Sequence, residues 1–208
     1  MKLVWMFLVL LLAGCGGTDK AKWSEEVLLH DGKKIVVKME ATRNSSGFPD
    51  SRRGSYKRYE IEFPSLNVTW REEKIGGTIP KAVEVVNGLP YVVLLITGCG
   101  MCEQQGYPDP SLVIWRWSGQ KWEEAAYRDL PPNIRLNILG APWDMHHDGP
   151  KMETYDLSGF YSLERKIQGV CSLNAGCSLG QLLSEYVKND PSLRSPGAIC
   201  TVRCKRSN

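Results

Sequence analysis

The chain has 208 residues, 42% of them hydrophobic, with 26 basic against 23 acidic side chains and a formal net charge of +3. That length suits one domain of ordinary size with a small addition. The near balance of charge excludes a polyanion as the main partner, and nucleic acid with it.

The first element is a leader. Lys2 is the only charge before Asp19, and residues 3–13 are all apolar. This run is about half of the ~20 residues that a helix needs to cross a bilayer. A charged start, a short apolar stretch and small residues before a cut describe an export signal. Leu12-Ala13-Gly14-Cys15 ends the run, and it resembles the lipobox of bacterial lipoproteins. The resemblance implies removal of residues 1–14, a diacylglycerol on the Cys15 sulfur and an acyl chain, such as palmitate, on the new amine. Several chains anchor a protein where one barely holds, since each buried methylene contributes ~0.8 kcal/mol. The partner so implied is a lipid bilayer. Gly16, standing where an Asp would favour the inner membrane in enteric-type lipoproteins, leans the address towards the outer membrane, with the body facing the periplasm. Residues 15–22 read as an acylated, flexible tether.

Residues 23–150 read as a β-rich domain. "EVLLH" at 26–30 and "KIVVKM" at 34–39 flank Asp31-Gly32, a strong hairpin signal. "YKRYEIEF", 56–63, alternates around Tyr59, Ile61 and Phe63, and Pro64-Ser65 turns it into "NVTWRE", 67–72. "KAVEVV", 81–86, and "YVVLLIT", 91–97, form a second hairpin. The latter strand lacks a polar face and belongs in the centre of the core. "SLVIWRW", 111–117, and "KWEEAAY", 121–127, form a third. Such hairpins predict a mainly β, antiparallel domain, either a sandwich or a bent meander. Residues 130–170 read as loops with one strand at 134–139. A helix capped by Ser178 runs to Asn189. Residues 151–208 are expected to form a small, disulfide-stapled, α-containing appendage.

Seven cysteines are present. With Cys15 lipidated, Cys99, Cys102, Cys171, Cys177, Cys200 and Cys204 remain, an even number that suits disulfides in an oxidising compartment. Spacing favours Cys99 with Cys102, and the other four among themselves. Cys99-Gly100-Met101-Cys102 also raises thiol–disulfide exchange, which needs a stabilised thiolate, usually at a helix N-terminus. Gly106, Pro108 and Pro110 leave no room for a long helix there, so a staple is the stronger reading.

Other candidates are thinner. His146 and His147, with Asp144 and Asp148, invite a zinc site, yet adjacent residues in extended chain point apart and no metal-ligand spacing supports it. No metal or other cofactor is expected. Glu25-Glu26, Glu72-Glu73 and Glu123-Glu124 are paired acids at strand ends, each read as leaving one carboxylate in water. His30 reads as a surface residue beside a turn. Arg52, Arg53, Lys57 and Arg58, with Tyr56 and Tyr59, form a possible anion-binding stretch. Trp115 and Trp117 share one strand face, where they fill a core or stack on a ligand. No G-x-S-x-G, P-loop, G-x-G-x-x-G or H-E-x-x-H is present. The sequence therefore leads to a lipid-anchored, non-catalytic binding or structural domain with an envelope protein or glycan as partner. A thiol oxidoreductase at Cys99 and Cys102 and a metal module at His146 and His147 are the competing readings.

Overall fold

Two antiparallel meanders, following one another in the chain, carry most of the body. The computed structural model describes residues 18–44, 56–73, 77–108, 111–131, 134, 137, 138, 160, 161, 200 and 204. The first meander comprises β1 (Thr18–Leu28), β2 (Lys34–Asn44), β3 (Tyr56–Phe63) and β4 (Val68–Glu73). The second comprises β5 (Thr78–Val86), β6 (Leu89–Ile96), β7 (Leu112–Trp117) and β8 (Trp122–Glu124). A two-residue strand, β9 (Phe160–Tyr161), lies parallel to β1 and extends the first sheet, whose order is β4-β3-β2-β1-β9. The second sheet is ordered β5-β6-β7-β8. The expected mainly β, antiparallel fold is the one the chain adopts.

The turns form where their chemistry directs. Lys33 N–H donates to Asp31 Oδ1 at 2.9 Å, and Gly32 takes the positive φ of 85° that closes the β1–β2 hairpin. Asn87 and Gly88 both have positive φ, 53° and 79°, the pair of left-handed residues that a two-residue hairpin turn requires. Between β6 and β7 the connection is a short helix, α1 (Cys99–Gln104).

Period-two alternation sorts the first sheet into a dry and a wet face. Trp23, Met39, Ile61 and Trp70 are cross-strand neighbours in a single row, and all are buried. Burial of each such side chain contributes on the order of 2 kcal/mol. The opposite row, Lys22, Glu40, Glu60 and Arg71, is charged throughout. The second sheet is different. Seven consecutive residues of β6, Pro90–Ile96, are buried, so both faces of that strand are covered, as its unbroken apolar run implies.

The sheets share one hydrophobic core. At one side Trp122 of β8 donates its indole N–H to the Thr69 carbonyl of β4 at 2.7 Å. At the other, Asn137 ties β1 to β5: its Nδ2 donates to the carbonyls of Leu28 (3.2 Å) and Val83 (2.7 Å), while its Oδ1 accepts from Val83 N–H (2.9 Å).

Four expectations change. Thr18–Lys22 belong to β1 and pair with Glu40–Asn44, so they are not a tether; cross-strand pairing and the burial of Ala21 outweigh the small, polar composition of that stretch. Residues 134, 137 and 138 are not in strand, because Asn137 spends its side chain bridging two sheets rather than extending either. The expected Cys99–Cys102 bond does not form. Cys99 joins Cys204 and Cys102 joins Cys200, with Cα–Cα separations of 5.2 and 5.1 Å. Cys200 and Cys204 are thus stapled to the β body and not to Cys171 and Cys177. Cys171, Cys177 and the expected helix at 178–189 lie outside the described residues.

Candidate functional site

Where α1 meets both sheets there is a cleft of about 310 Å³. Its walls are Glu72 and Glu73 at the end of β4, Thr78 at the start of β5, Leu94 of β6, Val113 and Trp115 of β7, and Met101, Gln104 and Gln105 on and just after α1. Register explains how β4 reaches it. Trp70 points inward, so Glu72, two residues on, leaves the same face at the rim of the core, opposite Tyr59 of β3.

The helix is placed by backbone contact and by sulfur. Gly77 has a φ of 96°, and a Cβ there would stand 3.3 Å from the Gly98 Cα. This bare crossing lets Thr97 N–H reach the Gly77 carbonyl at 2.7 Å and sets α1 against the start of β5. The Gly98 carbonyl accepts from Met101 and Cys102 N–H at 3.1 and 3.2 Å. Six residues are too few for a helix to stand alone. The two disulfides to Cys200 and Cys204 hold this one, and Cys200 N–H donates to the buried Ser111 Oγ at 3.1 Å, fixing the tail segment beside β7.

Two of the cleft's polar groups, the Trp115 indole N–H and the Glu72 carboxyl, have no partner among the described residues. The Trp115 indole N–H is buried and makes no hydrogen bond to a described residue. Glu72 is half-buried, and burial pushes its carboxyl above the ordinary glutamate range. Other partly or fully buried carboxylates have answers. Glu40 is engaged by Lys20 and Lys22, each at 2.8 Å, and by Arg58. Burial pushes Glu40 up, but those three cations outweigh it and bring its carboxyl down to about 2. Glu25 lies in the core and accepts from the Trp23 indole at 2.7 Å. Glu84, fully buried, accepts from His30 N–H at 3.0 Å and stands 3.0 Å from His30 Nδ1. Glu123 accepts from Arg116 at 2.6 Å.

Several sequence readings are therefore corrected. The Glu25-Glu26 pair lies inside β1 and not at a strand end, because the strand is longer than its sequence pattern suggested; Glu25 falls on the inward parity and is buried, and Glu26 is the acid left partly in water. His30 is not a free surface residue: it is one quarter exposed and tied to Glu84. In the possible anion-binding stretch, Arg58 is occupied by Glu40 and Lys57 is exposed, while Arg52 and Arg53 lie outside the described residues. Cys15, Asp144, His146, His147 and Asp148 also lie outside them. Among the described residues no group of three or more His, Cys, Asp or Glu side chains is placed to hold a metal. Trp23 and Trp70 are core residues, whereas Trp115, Trp117 and Trp122 form a half-buried rim, with Trp117 and Trp122 centroids 5.7 Å apart.

The cleft itself was missed. The signal available was the spacing Trp70-x-Glu72: an acid in step with a buried tryptophan faces inward. No family model matches this chain, and neither a curated protein nor a solved structure does.

Proposed function

We propose that this chain is a bacterial lipoprotein whose β body is held at a membrane surface, in the periplasm and on the outer-membrane side, and binds another envelope component through the cleft beside α1. The observation that carries the reading is Leu12-Ala13-Gly14-Cys15 closing a charged-then-apolar leader. Two disulfides spanning 98 and 105 residues support it, since such bonds persist in oxidising compartments.

The position of β1 adds a geometric consequence. Only Gly16 and Gly17 stand between Cys15 and Thr18, the first residue of β1. At ~3.5 Å per extended residue, the lipidated sulfur sits within roughly 10 Å of the sheet. The body is moored closely, so its partner has to come to the membrane surface. The oxidoreductase alternative gains no support from Cys99 and Cys102, each of which is committed to a distant cysteine, with Cys102 fully buried.

The test is the anchor. Mass measurement of the mature protein should show a chain starting at Cys15 and carrying lipid, and Cys15→Ser should move it from the membrane to the soluble fraction. An unmodified mature N-terminus on membrane-bound protein would overturn the proposal.

A further inference from the structure

We infer that the cleft between β4, β7 and α1 takes an organic cation, a primary ammonium or guanidinium group on an apolar stem, with Glu72 as its counter-ion and Trp115 as its aromatic wall. The inference deepens the binding role proposed for the cleft and does not depend on the lipid anchor.

Charge is the first ground. Among the described residues the lining carries two carboxylates, Glu72 and Glu73, and no basic side chain. Glu72 is moreover an exception among the described residues. Glu25, Glu26, Glu40, Glu60, Glu62, Glu84 and Glu123 are all partly or wholly withdrawn from water, and each has a cationic or hydrogen-bonding partner. Glu72 is withdrawn to a similar degree and has none among the described residues. A carboxylate removed from water without compensation costs stability, and an entering cation would offset that cost.

The second ground is the rest of the wall. Leu94, Val113 and the Met101 side chain offer an apolar lining for a stem. Trp115 brings an aromatic ring to the lining, and the face of such a ring attracts a cation within ~6 Å. The Gln104 and Gln105 carboxamides supply oxygens that accept from an ammonium. The third ground is size. At about 310 Å³ the space is at the small end of ligand sites, suited to one long side chain or a small amine and not to an oligosaccharide.

Two sources share this chemistry: a free amine, and a lysine or arginine side chain presented by a partner protein. The full-length protein in detergent, labelled with ¹⁵N, gives an indole N–H resonance for Trp115, assigned with Trp115→Phe. N-acetyl-lysine methylamide, n-pentylamine and the neutral N-acetyl-norleucine methylamide are titrated in turn to ~10 mM, a range that captures millimolar binding. The expected result is a saturable shift of that resonance with a cationic probe. Glu72→Gln should weaken it about tenfold or more, and the norleucine compound should give no saturable shift. Response to pentylamine alone identifies a free amine, and response to the blocked lysine identifies a partner's side chain; either supports the inference. If the norleucine compound binds as well as the lysine compound, the cleft is a binding site but not one for cations. If no probe shifts the resonance, the cleft reading fails together with the inference.

Discussion

The wet face of the first sheet and the cleft beside α1 both present acids of the first sheet, yet they solve opposite problems. On the wet face opposite signs pair across the strands: Lys22 with Glu40, Arg71 with Glu60, Lys38 with Glu62. Each of these three carboxylates finds a cation across the strand, at a distance that cross-strand pairing sets. At the cleft the same β4 strand turns Glu72 inward, where the second sheet presents Leu94, Val113 and Trp115 but no base. Satisfied charge makes a surface that needs nothing further. Unsatisfied charge in a concave, part-apolar space is the usual mark of a site.

The largest effect should come from the sulfur that builds the cleft and not the wet face. Cys102–Cys200 is nested inside Cys99–Cys204, so both close nearly the same loop. In the chain-entropy model a loop of this length is worth ~4.7 kcal/mol, and most of it survives while either bond remains. Replacing Cys99, Cys102, Cys200 and Cys204 together by alanine should therefore cost ~5 kcal/mol. Either single pair should cost distinctly less. Denaturant unfolding of the three variants checks the order, and equal losses from one pair and from both would break the nesting argument.

A middle-sized effect should separate the two regions by pH. Folding holds the Glu40 carboxyl at about 2, below the ordinary glutamate value of 4.5. Its contribution is present above about pH 4.5 and is lost as pH falls towards 2. Lys20 and Lys22 are 49% and 66% exposed, so solvent screens much of the pairing, and Glu40→Gln should cost only ~1–2 kcal/mol at pH 7. The gap between the two proteins should close between pH 4.5 and 2, as followed by unfolding midpoints. A gap independent of pH would mean that shape, not charge, makes Glu40 matter.

How much of this was legible depended on whether a signal was local. Asp31-Gly32 and Asn87-Gly88 announce their hairpins because the turn residues are adjacent. The alternation Tyr59, Ile61, Phe63 gives the buried face of β3 for the same reason. The disulfides were misread because Cys99 and Cys102 are neighbours in sequence, while their partners arrive from about a hundred residues away, through a fold that spacing does not encode. Thr18–Lys22 were misread because their strand state is imposed by pairing with β2 and not by their own propensities. The cleft needs β4, β7 and α1 at once. Only its register clue, Trp70 in step with Glu72, was available in one stretch of chain.

The smallest effect has the most telling sign. Glu72 is raised by burial, so the folded protein holds that proton more readily than the unfolded chain. The ionised carboxyl then opposes folding, with the penalty fully present above its raised titration range and relieved as pH falls through it. Glu72→Gln removes the penalty and keeps the shape. It should raise stability by about 0.5 kcal/mol at pH 7, and the gain should vanish in acid, opposite in direction to Glu40→Gln at neutral pH. A saturating cationic probe should change the balance, stabilising the native protein more than the glutamine variant by mass action. Paired melts of the two proteins, with and without N-acetyl-lysine methylamide, read both signs. If Glu72→Gln instead destabilises the free protein as Glu40→Gln does, then Glu72 already has a partner in the folded chain, and the contrast between the two regions disappears.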